Sequence, residues 1–349
     1  MTAPQRFDTL DALRGLAALA VMLDHFTQHN GGLILFPSSP LAVDLFFCLS
    51  GFVIAHAYQQ RIANELSFWG FLRLRLIRLW PAWLMGCALG LPALLAKLLV
   101  GQSDLSPGGF VAATTLNLVF LPYLGFHSTV VFASRDVGDI FPLNDPGWSL
   151  FFEFVANALF FLLIARGRPN LTIVVAVAGV LFLASVKIFG ESPGWNINNF
   201  LGGLPRVGFG FLAGVLLYQW RGKLLLLPKI NAVWLLIALA ALMSVPHFRL
   251  HTYYWFGVSL LVVPLLVALG SRCELASGGR AQHWARQAGA LSYPLYCLHF
   301  PLVVLLSLFY DQAPLWAQML FAAASLGLAA LALRAERPLS QWIARHLPA

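Results

Sequence analysis

The stretch Asp11-Ala-Leu-Arg14-Gly-Leu-Ala-Ala-Leu-Ala-Val-Met-Leu-Asp24-His25 is an apolar helical pattern with an arginine near its start and a histidine at its end. Arg14 and His25 are eleven positions apart, about 1100° of rotation at about 100° per residue, so both side chains share one helix face to within about 20°. A rise of about 1.5 Å per residue places them about 16 Å apart along the axis. The stretch therefore predicts a membrane span with a cation near one surface and a titratable imidazole at depth.

The composition of the whole chain is typical of an integral membrane protein. Apolar and aromatic residues make up 59% of it and charged residues 10%, against about 45–50% and about 25% in soluble domains. The 349 residues suffice for about ten spans of about 20 residues. We expect one membrane-embedded domain over residues 1–349 and no appended soluble domain. The net charge of +8 does not come from a basic run with interleaved aromatic residues, so we expect no nucleic-acid partner.

Apolar segments separated by proline, glycine or charged stretches predict an all-α fold with about ten transmembrane helices. These segments are residues 10–27, 41–58, 77–98, 147–165, 171–189, 204–220, 231–246, 255–270, 290–309 and 315–333. A further apolar segment, residues 110–123, is short, contains several polar side chains and ends at Pro122.

The distribution of basic residues decides how the segment 110–123 is interpreted. Ten spans and a cytoplasmic N-terminus place seventeen of the 22 lysines and arginines on the cytoplasmic side, in agreement with the positive-inside rule. An eleventh span would invert every later loop and remove this asymmetry. We therefore expect both termini in the cytoplasm and a re-entrant or interfacial segment at 110–123.

The cysteines and the first apolar stretch each have one favoured interpretation. Cys48, Cys87, Cys273 and Cys297 form no CxxC motif and no paired spacing, so we interpret them as small apolar residues rather than disulfides or metal ligands. The first apolar stretch is interrupted by charged residues, and no A-x-A-like cleavage site follows it. We expect it to be retained as a span and not cleaved as a signal peptide.

The polar side chains of the first span have a functional and a structural interpretation. An ionised residue in mid-membrane costs about 2.5–3.5 kcal/mol and usually faces a partner or a water-filled cavity. His25 is thus a candidate general base, or it hydrogen-bonds a neighbouring helix. Asp11, one turn before Arg14, either holds the guanidinium in place or forms a plain i,i+3 pair. Asp24 points about 100° away from His25, so we expect it to contact another helix.

A second polar cluster lies at the cytoplasmic start of the third span. Arg75 and Arg78 are three residues apart and share a helix face, whereas Arg73 lies elsewhere on the helix. Guanidinium forks suit phosphate oxygens. Arginines at a cytoplasmic membrane edge also serve as simple anchors, so both interpretations stand.

Taken together, these residues resemble the acyltransferase 3 family of integral membrane enzymes, whose signature is an arginine or lysine followed by a histidine with ten residues between them in the first span. The resemblance covers nearly the whole chain. The other matching stretches are Ala42-Val-Asp44-Leu-Phe-Phe-Cys-Leu-Ser50-Gly51-Phe-Val-Ile, Arg75-Leu-Ile-Arg78-Leu-Trp-Pro81, Asn117-Leu-Val-Phe-Leu-Pro122, Pro146-Gly-Trp148-Ser149-Leu-Phe-Phe-Glu153, Leu291-Ser-Tyr293-Pro-Leu-Tyr296-Cys-Leu-His299-Phe-Pro301 and Glu336-Arg-Pro338.

The resemblance implies an enzyme that transfers an acyl group, usually acetyl, from cytoplasmic acyl-CoA to a hydroxyl. The acceptor it implies is a glycan or a lipid-linked saccharide of the cell envelope. Acyl-CoA is then a substrate, and we expect no permanently bound cofactor and no metal. The implied location is the bacterial inner membrane, where membrane lipids surround the helices.

The resemblance also assigns roles to residues. His25 is the expected catalytic base, and Arg14 is expected to act in catalysis and, with Arg75 and Arg78, to bind the CoA phosphates or the thioester. The remaining expected site residues are Glu153 in catalysis and acceptor binding, and Asp44 and Trp148 in acceptor binding. For Glu153 and Asp44 a carboxylate stabilised at a helix N-terminus is the alternative.

Other candidates rank behind these. His299, also deep in a span, is the second candidate base. Ser149 is interpreted as a helix cap or contact, because no G-x-S-x-G motif surrounds it. The sequence departs from the family pattern at Asp24, where we expect an aromatic or apolar residue, and at Asn157, where we expect tyrosine.

Two other classes of protein remain open at this point. A secondary transporter would carry inverted repeats with polar groups at mid-membrane; the polar groups are present, but we find no repeat. A histidine-dependent acyltransferase acting on lipids or proteins would use His299 as its base.

Overall fold

The computed structural model describes residues 6–28, 34–165, 170–273, 275 and 279–346, and it is mostly helical. The helices are α1 (Asp8–Thr27), α2 (Pro40–Asn64), α3 (Phe68–Leu99), α4 (Pro107–Leu118), α5 (Gly147–Ala165), α6 (Leu171–Phe189), α7 (Phe200–Gln219), α8 (Arg221–Leu224), α9 (Ala232–Met243), α10 (His251–Gly257), α11 (Val263–Gly270), α12 (Arg280–Ser307) and α13 (Leu315–His346). A π-helical turn, Val258–Val262, makes α10 and α11 one continuous rod.

The helices agree with the predicted spans in position. Within the described ranges, seven helices are long and apolar enough to cross a membrane, namely α2, α3, α6, α7, the α10–α11 rod, α12 and α13. The other three predicted spans correspond to α1, α5 and α9. Helix α1 has 20 residues but carries charged side chains along its length, and α9 has only 12 residues. A multi-helix membrane fold is therefore confirmed, whereas the total of ten spans and the side of the termini remain predictions.

The two ends of the bundle differ in charge and in loop structure. The basic end holds the starts of α1, α3 and α12, and Arg286 on α12 pairs there with Asp8 on α1 at 2.8 Å. The end of α13 reaches the same end, where Arg73 donates to the carbonyl oxygen of Ala344 at 2.5 Å. The opposite end, called the loop end, holds the end of α1 and the connections before α5, α7 and α10.

The segment 110–123 does not cross the bundle. Helix α4 covers 12 residues, about 18 Å at about 1.5 Å per residue, well short of an apolar bilayer core of about 30 Å. The indole nitrogens of Trp80 and Trp83 donate to the carbonyl oxygens of Leu118 and Asn117 at 2.9 and 2.8 Å, which ties the end of α4 to α3. The segment is therefore a short helix beside α3, consistent with a non-spanning element.

The all-α prediction missed a β-hairpin in the connection 124–146. Strands β1 (Ser128–Val131) and β2 (Ser134–Val137) pair antiparallel, with Ser128 opposite Val137. Asp104 anchors the hairpin by accepting from the backbone nitrogen and hydroxyl of Ser128 at 2.6 and 2.7 Å. Four-residue strands are too short for a clear alternating pattern, and their anchor lies far away in sequence.

Small residues let the central helices approach closely. Helix α1 lies against α12, and a Cβ at Gly15 or Gly289 would overlap Ala288 or Asp11. Helix α2 lies against α7, and a Cβ at Gly51 would overlap the carbonyl oxygen of Phe211. Close backbone contact through small residues is a common way to pack helices in membranes. It fixes α12 directly beside the Arg14–His25 face.

Candidate active site

The predicted shared face of Arg14 and His25 is the face that α1 turns toward α12. Arg14 Nη2 donates to the carbonyl oxygen of Gly289 at 3.0 Å and to Asp11 Oδ1 at 2.7 Å. His25 Nδ1 lies 2.8 Å from His299 Nε2. The contacts with Gly289 and with His299 are both to α12, so the spacing in the sequence identified a real common face. The aspartate one turn before Arg14 pairs with the guanidinium as its i,i+3 neighbour on α1.

The two candidate bases, His25 and His299, form one hydrogen-bonded pair. His299 Nδ1 lies 3.0 Å from the carbonyl oxygen of Leu295. A carbonyl only accepts, so His299 carries its proton on Nδ1 and presents the lone pair of Nε2. His25 must then donate from Nδ1, and the lone pair of its neutral ring lies on Nε2. The pair therefore makes Nε2 of His25 the basic atom and His299 the group that orients it.

The predicted arginines and Glu153 meet in a separate cavity of about 190 Å³, the central cavity. Glu153 Oε1 accepts from Ser50 Oγ at 2.6 Å and pairs with Arg75 Nη2 at 3.4 Å. Arg78 Nη1 pairs with Glu336 at 3.1 Å, and Arg14 also lines this cavity. Arg14, Arg75 and Arg78, which we expect to bind the CoA phosphates or the thioester, thus line one cavity, and their role there stays a prediction. Arg75 pairs with Glu153 and Arg78 with the family-motif residue Glu336, whereas Arg14 pairs with Asp11.

His25 lies in a different cavity of about 530 Å³ at the loop end, called the loop-end cavity. Asp24 and Trp148 line it as well, and Asp24 accepts from Ser39 Oγ at 2.7 Å, the contact outside α1 that we expected. Val43 and Tyr296 line both the central and the loop-end cavity. These two side chains therefore form the partition between the arginine cluster and the histidine pair.

This partition separates residues that the sequence analysis grouped. Arg14 is about 16 Å from His25 along the helix axis, and neither Arg14 nor Glu153 is among the residues that line the loop-end cavity. The structure thus does not bring them to the imidazole. Their surroundings, a pocket with three arginines, suit an anionic or carbonyl-bearing part of a ligand.

Asp44 lies outside both cavities in a buried ion pair. Arg206 donates to Asp44 through Nε at 2.7 Å and Nη2 at 3.3 Å, and Ser259 Oγ donates to Oδ2 at 2.8 Å. The Arg206 guanidinium also lies over the rings of Trp148 and Trp255, at 5.2 and 5.0 Å from their centroids. The Asp44 carboxylate is therefore already occupied, whereas Trp148 has one side on Arg206 and lines the loop-end cavity.

Two more cavities continue from the central cavity to the basic end. The linking cavity, about 210 Å³, shares Arg14, Leu49 and Val53 with the central cavity. The basic cavity, about 810 Å³, shares Arg6, Phe7 and His56 with the linking cavity. The other basic residues lining the basic cavity are Arg221, Lys229 and Arg272. A series of adjoining cavities thus runs from one end of the bundle to the other.

Sequence reasoning missed several residues of the loop-end cavity. Asp139 and Asp145 both line this cavity and their carboxyl groups interact, and we call them the carboxyl pair. Burial raises the pKa of Asp139 to about 6, and burial together with the charge of Asp139 raises the pKa of Asp145. The stretch between them reads as an ordinary polar loop, and only its position before α5 could have pointed to the site.

Ser149 and Asn157 hold the structure around the site. The Ser149 hydroxyl donates to the carbonyl oxygen of Pro146 at 2.9 Å and lies 2.8 Å from the Tyr296 hydroxyl, which must therefore donate to it. This arrangement is a helix-start contact, as expected, and orients the partition residue Tyr296. Asn157 Nδ2 donates to the carbonyl oxygen of Glu153 at 2.7 Å. All four cysteines are free and buried, as predicted.

The apolar helices are those of a multi-pass integral membrane protein. The acyltransferase 3 family model, described as an acyltransferase domain, matches residues 7–334. The chain therefore belongs to the acyltransferase 3 family. Membership identifies an acyltransferase in place of the transporter alternative.

One curated relative is found in Rhizobium radiobacter. The chain is 35% identical over 196 residues to "Protein 2 in picA locus", an alignment that covers 53% of this chain and 97% of that protein. No solved structure matches the chain.

Proposed function

We propose that the protein transfers an acyl group, acetyl in the simplest case, from acyl-CoA to a hydroxyl of an envelope glycan, with His25 as general base. The observation that carries this proposal is the series of adjoining cavities from the basic end to the histidine pair. It offers a donor and an acceptor separate routes to one imidazole. By the positive-inside rule the basic end faces the cytoplasm of a bacterial inner membrane, where acyl-CoA is available.

The donor side of the proposal rests on charge and shape. The basic cavity carries Arg6, Arg221, Lys229 and Arg272, and such side chains bind phosphate groups well. The narrower linking and central cavities suit the slender arm that joins the nucleotide of CoA to its thioester. Arg14, with the rest of the arginine cluster, lies at the inner end of that route. In this arrangement the CoA nucleotide lies in the basic cavity, and the thioester end of the arm lies beside the arginine cluster.

The acceptor side rests on the loop-end cavity and on the family. Members of the family act on polysaccharides or similar acceptors, and this cavity has a mixed polar and aromatic lining that includes Trp148 and Trp195. Indole rings stack on sugar rings, and carboxylates accept from their hydroxyls. A glycan hydroxyl reaching into this cavity from the loop end would meet His25 directly.

The reaction then needs few steps. His25 Nε2 takes the proton of the acceptor hydroxyl as its oxygen bonds to the thioester carbonyl carbon. The carbon–sulfur bond breaks, the ester remains on the glycan, and the CoA thiolate leaves and is protonated by the imidazolium. His25 Nδ1–H keeps donating to His299 throughout, and this bond strengthens while His25 is charged. A positioned base of this kind contributes about 10²–10⁴ in rate.

The proposal is tested with purified protein, labelled acetyl-CoA and an envelope glycan fraction. We expect label on the glycan together with release of free CoA thiol, and a loss of about 10²-fold or more in His25→Gln. His283→Gln changes an exposed histidine at the basic end and is the control, expected to match the parent. Arg272→Ala is expected to raise KM for acetyl-CoA with little change in kcat. Unchanged turnover in His25→Gln, or no acyl transfer by the parent protein, contradicts the proposal.

A further inference from the structure

A second cluster of ligating side chains lies at the loop end, outside the histidine pair. Glu191 follows α6, His247 lies in the connection before α10, and His251 is the first residue of α10. One ligand atom from each residue lies within 4.8 Å of the others. His251 Nδ1 is 3.0 Å from Glu191 Oε2, and the rings of His247 and His251 are 4.2 Å apart. Segments before and after two different helices thus converge on one small volume.

The hydrogen-bond partners of Ser38 and His251 require a proton or a metal ion between His251 and Glu191. Ser38 Oγ lies 2.6 Å from the carbonyl oxygen of Val245, which can only accept, so the single hydroxyl proton points there. His251 Nε2, 2.8 Å from the same oxygen, must therefore donate to it. That places Nδ1 against a carboxylate, where a bare lone pair is repelled. Either a proton or a metal ion must lie between them.

A metal ion accounts for more of the cluster than a proton does. A proton on Nδ1 bridges only His251 and Glu191. It does not involve His247, although the ring of His247 lies against that of His251. Metal-binding histidines usually donate their second nitrogen to an oxygen, which fixes the ring, and His251 does so to Ser38. Glu191 is supported in the same way, because Thr252 Oγ1 donates to its Oε2 at 3.4 Å.

We propose that Glu191, His247 and His251 bind a zinc ion at the loop end of the protein. Two imidazoles and one carboxylate form a ligand set that zinc takes with a fourth position left open. Glu191 and His247 also line the loop-end cavity, so that open position faces the chamber of His25. An oxygen ligand from a molecule in that chamber, such as a sugar hydroxyl or carboxylate, can complete the coordination. Zinc binding itself does not depend on the acyl transfer proposed above.

The test is metal binding by the full-length, tag-free protein in detergent after treatment with a chelator. Titration with ZnCl₂ followed by calorimetry is expected to show one zinc per chain. His247 is exposed and forms no hydrogen bond within the described residues, so His247→Ala leaves the fold intact and should weaken binding at least tenfold. Glu191→Gln should do the same, and His283→Ala, an exposed histidine at the basic end, should bind like the parent.

Absorption spectroscopy of the Co²⁺-loaded protein adds a second measure. The parent should give the spectrum of a four-coordinate or five-coordinate site, and His247→Ala should lose it. An absence of stoichiometric zinc binding would overturn the proposal, because the cluster is then only an imidazolium–carboxylate pair. Equal binding by the parent and His247→Ala would overturn it as well, because the zinc is then held elsewhere.

Discussion

The histidine pair gives a prediction that separates a base from the residue that orients it. His299 Nε2 accepts from His25 Nδ1 at 2.8 Å, and His299 is fully buried. His299→Ala removes that acceptor, so His25 loses both its fixed tautomer and the partner of its imidazolium form. His25 is partly buried, and leaving its Nδ1–H without this acceptor costs about 1–3 kcal/mol. At about 1.4 kcal/mol per tenfold in rate, we expect kcat to fall about 5- to 150-fold.

The assay is release of free CoA thiol from acetyl-CoA in the presence of the glycan acceptor, with kcat and KM measured across pH. KM for acetyl-CoA should stay near the parent value, since His299 lines neither the central, the linking nor the basic cavity. His299→Gln supplies an amide oxygen near the position of Nε2 and should recover part of the lost rate. His25→Gln should stay inactive, because an amide cannot replace the base.

The opposite ranking of the two histidines makes opposite predictions. If His299 were the base, as in the lipid or protein acyltransferase alternative, His299→Gln would be as inactive as His299→Ala, and His25→Ala would keep most of the activity. A His299→Ala variant with the parent kcat and the parent pH profile would contradict the claim that His299 orients His25.

Three further predictions concern the fold around the site. Arg206→Met leaves Asp44 as a buried unpaired charge, so it should destabilise the protein by about 3–5 kcal/mol. The double variant with Asp44→Leu removes that charge and should recover most of the lost melting temperature. In the carboxyl pair, burial raises the pKa of Asp145, so the protonated form favours the folded state. Its stability contribution is present below about pH 4 and is lost as pH rises through the raised pKa. Asp145→Asn should therefore raise the melting temperature more at pH 8 than at pH 5. Gly214→Ala would overlap a backbone carbonyl of α2 and should abolish folded yield, whereas Gly208→Ala, with open space around it, should not.

Each of these three outcomes is read by thermal melting or by gel filtration of detergent-solubilised protein. A double variant of the ion pair no more stable than the single one would contradict the interpretation of that pair. For the carboxyl pair, a gain that is larger at pH 5 than at pH 8 would contradict the sign. Equal folded yields of the two glycine variants would contradict the close contact of α2 and α7.

The sequence could predict what depends on local periodicity. Apolar runs predicted the helices, and an eleven-residue spacing predicted that Arg14 and His25 face the same neighbour. The three-residue spacing of Arg75 and Arg78 likewise predicted a shared face, and both line the central cavity. These features follow from helix geometry and need no knowledge of the partners.

What the sequence could not predict depends on contacts between distant segments. His25 and His299 are 274 residues apart, so their ranking as base and positioning residue required the packing of α1 on α12. Asp44 was assigned to the site because its partner, Arg206, lies 162 residues away in the chain and no local pattern shows the pairing. The partition at Tyr296 separates Glu153 from His25, and no single helix pattern contains it. The β-hairpin was missed because its strands are too short to alternate clearly.

The most direct test of the central claim is sided acyl transfer in vesicles that hold the protein in one known orientation. Labelled acetyl-CoA is added only at the basic end, and the glycan acceptor is present only at the loop end. We expect label on the acceptor with the parent protein and none with His25→Gln, although that variant still binds acetyl-CoA. Label on acceptors only when they share the donor's face, or undiminished transfer by His25→Gln, would contradict it.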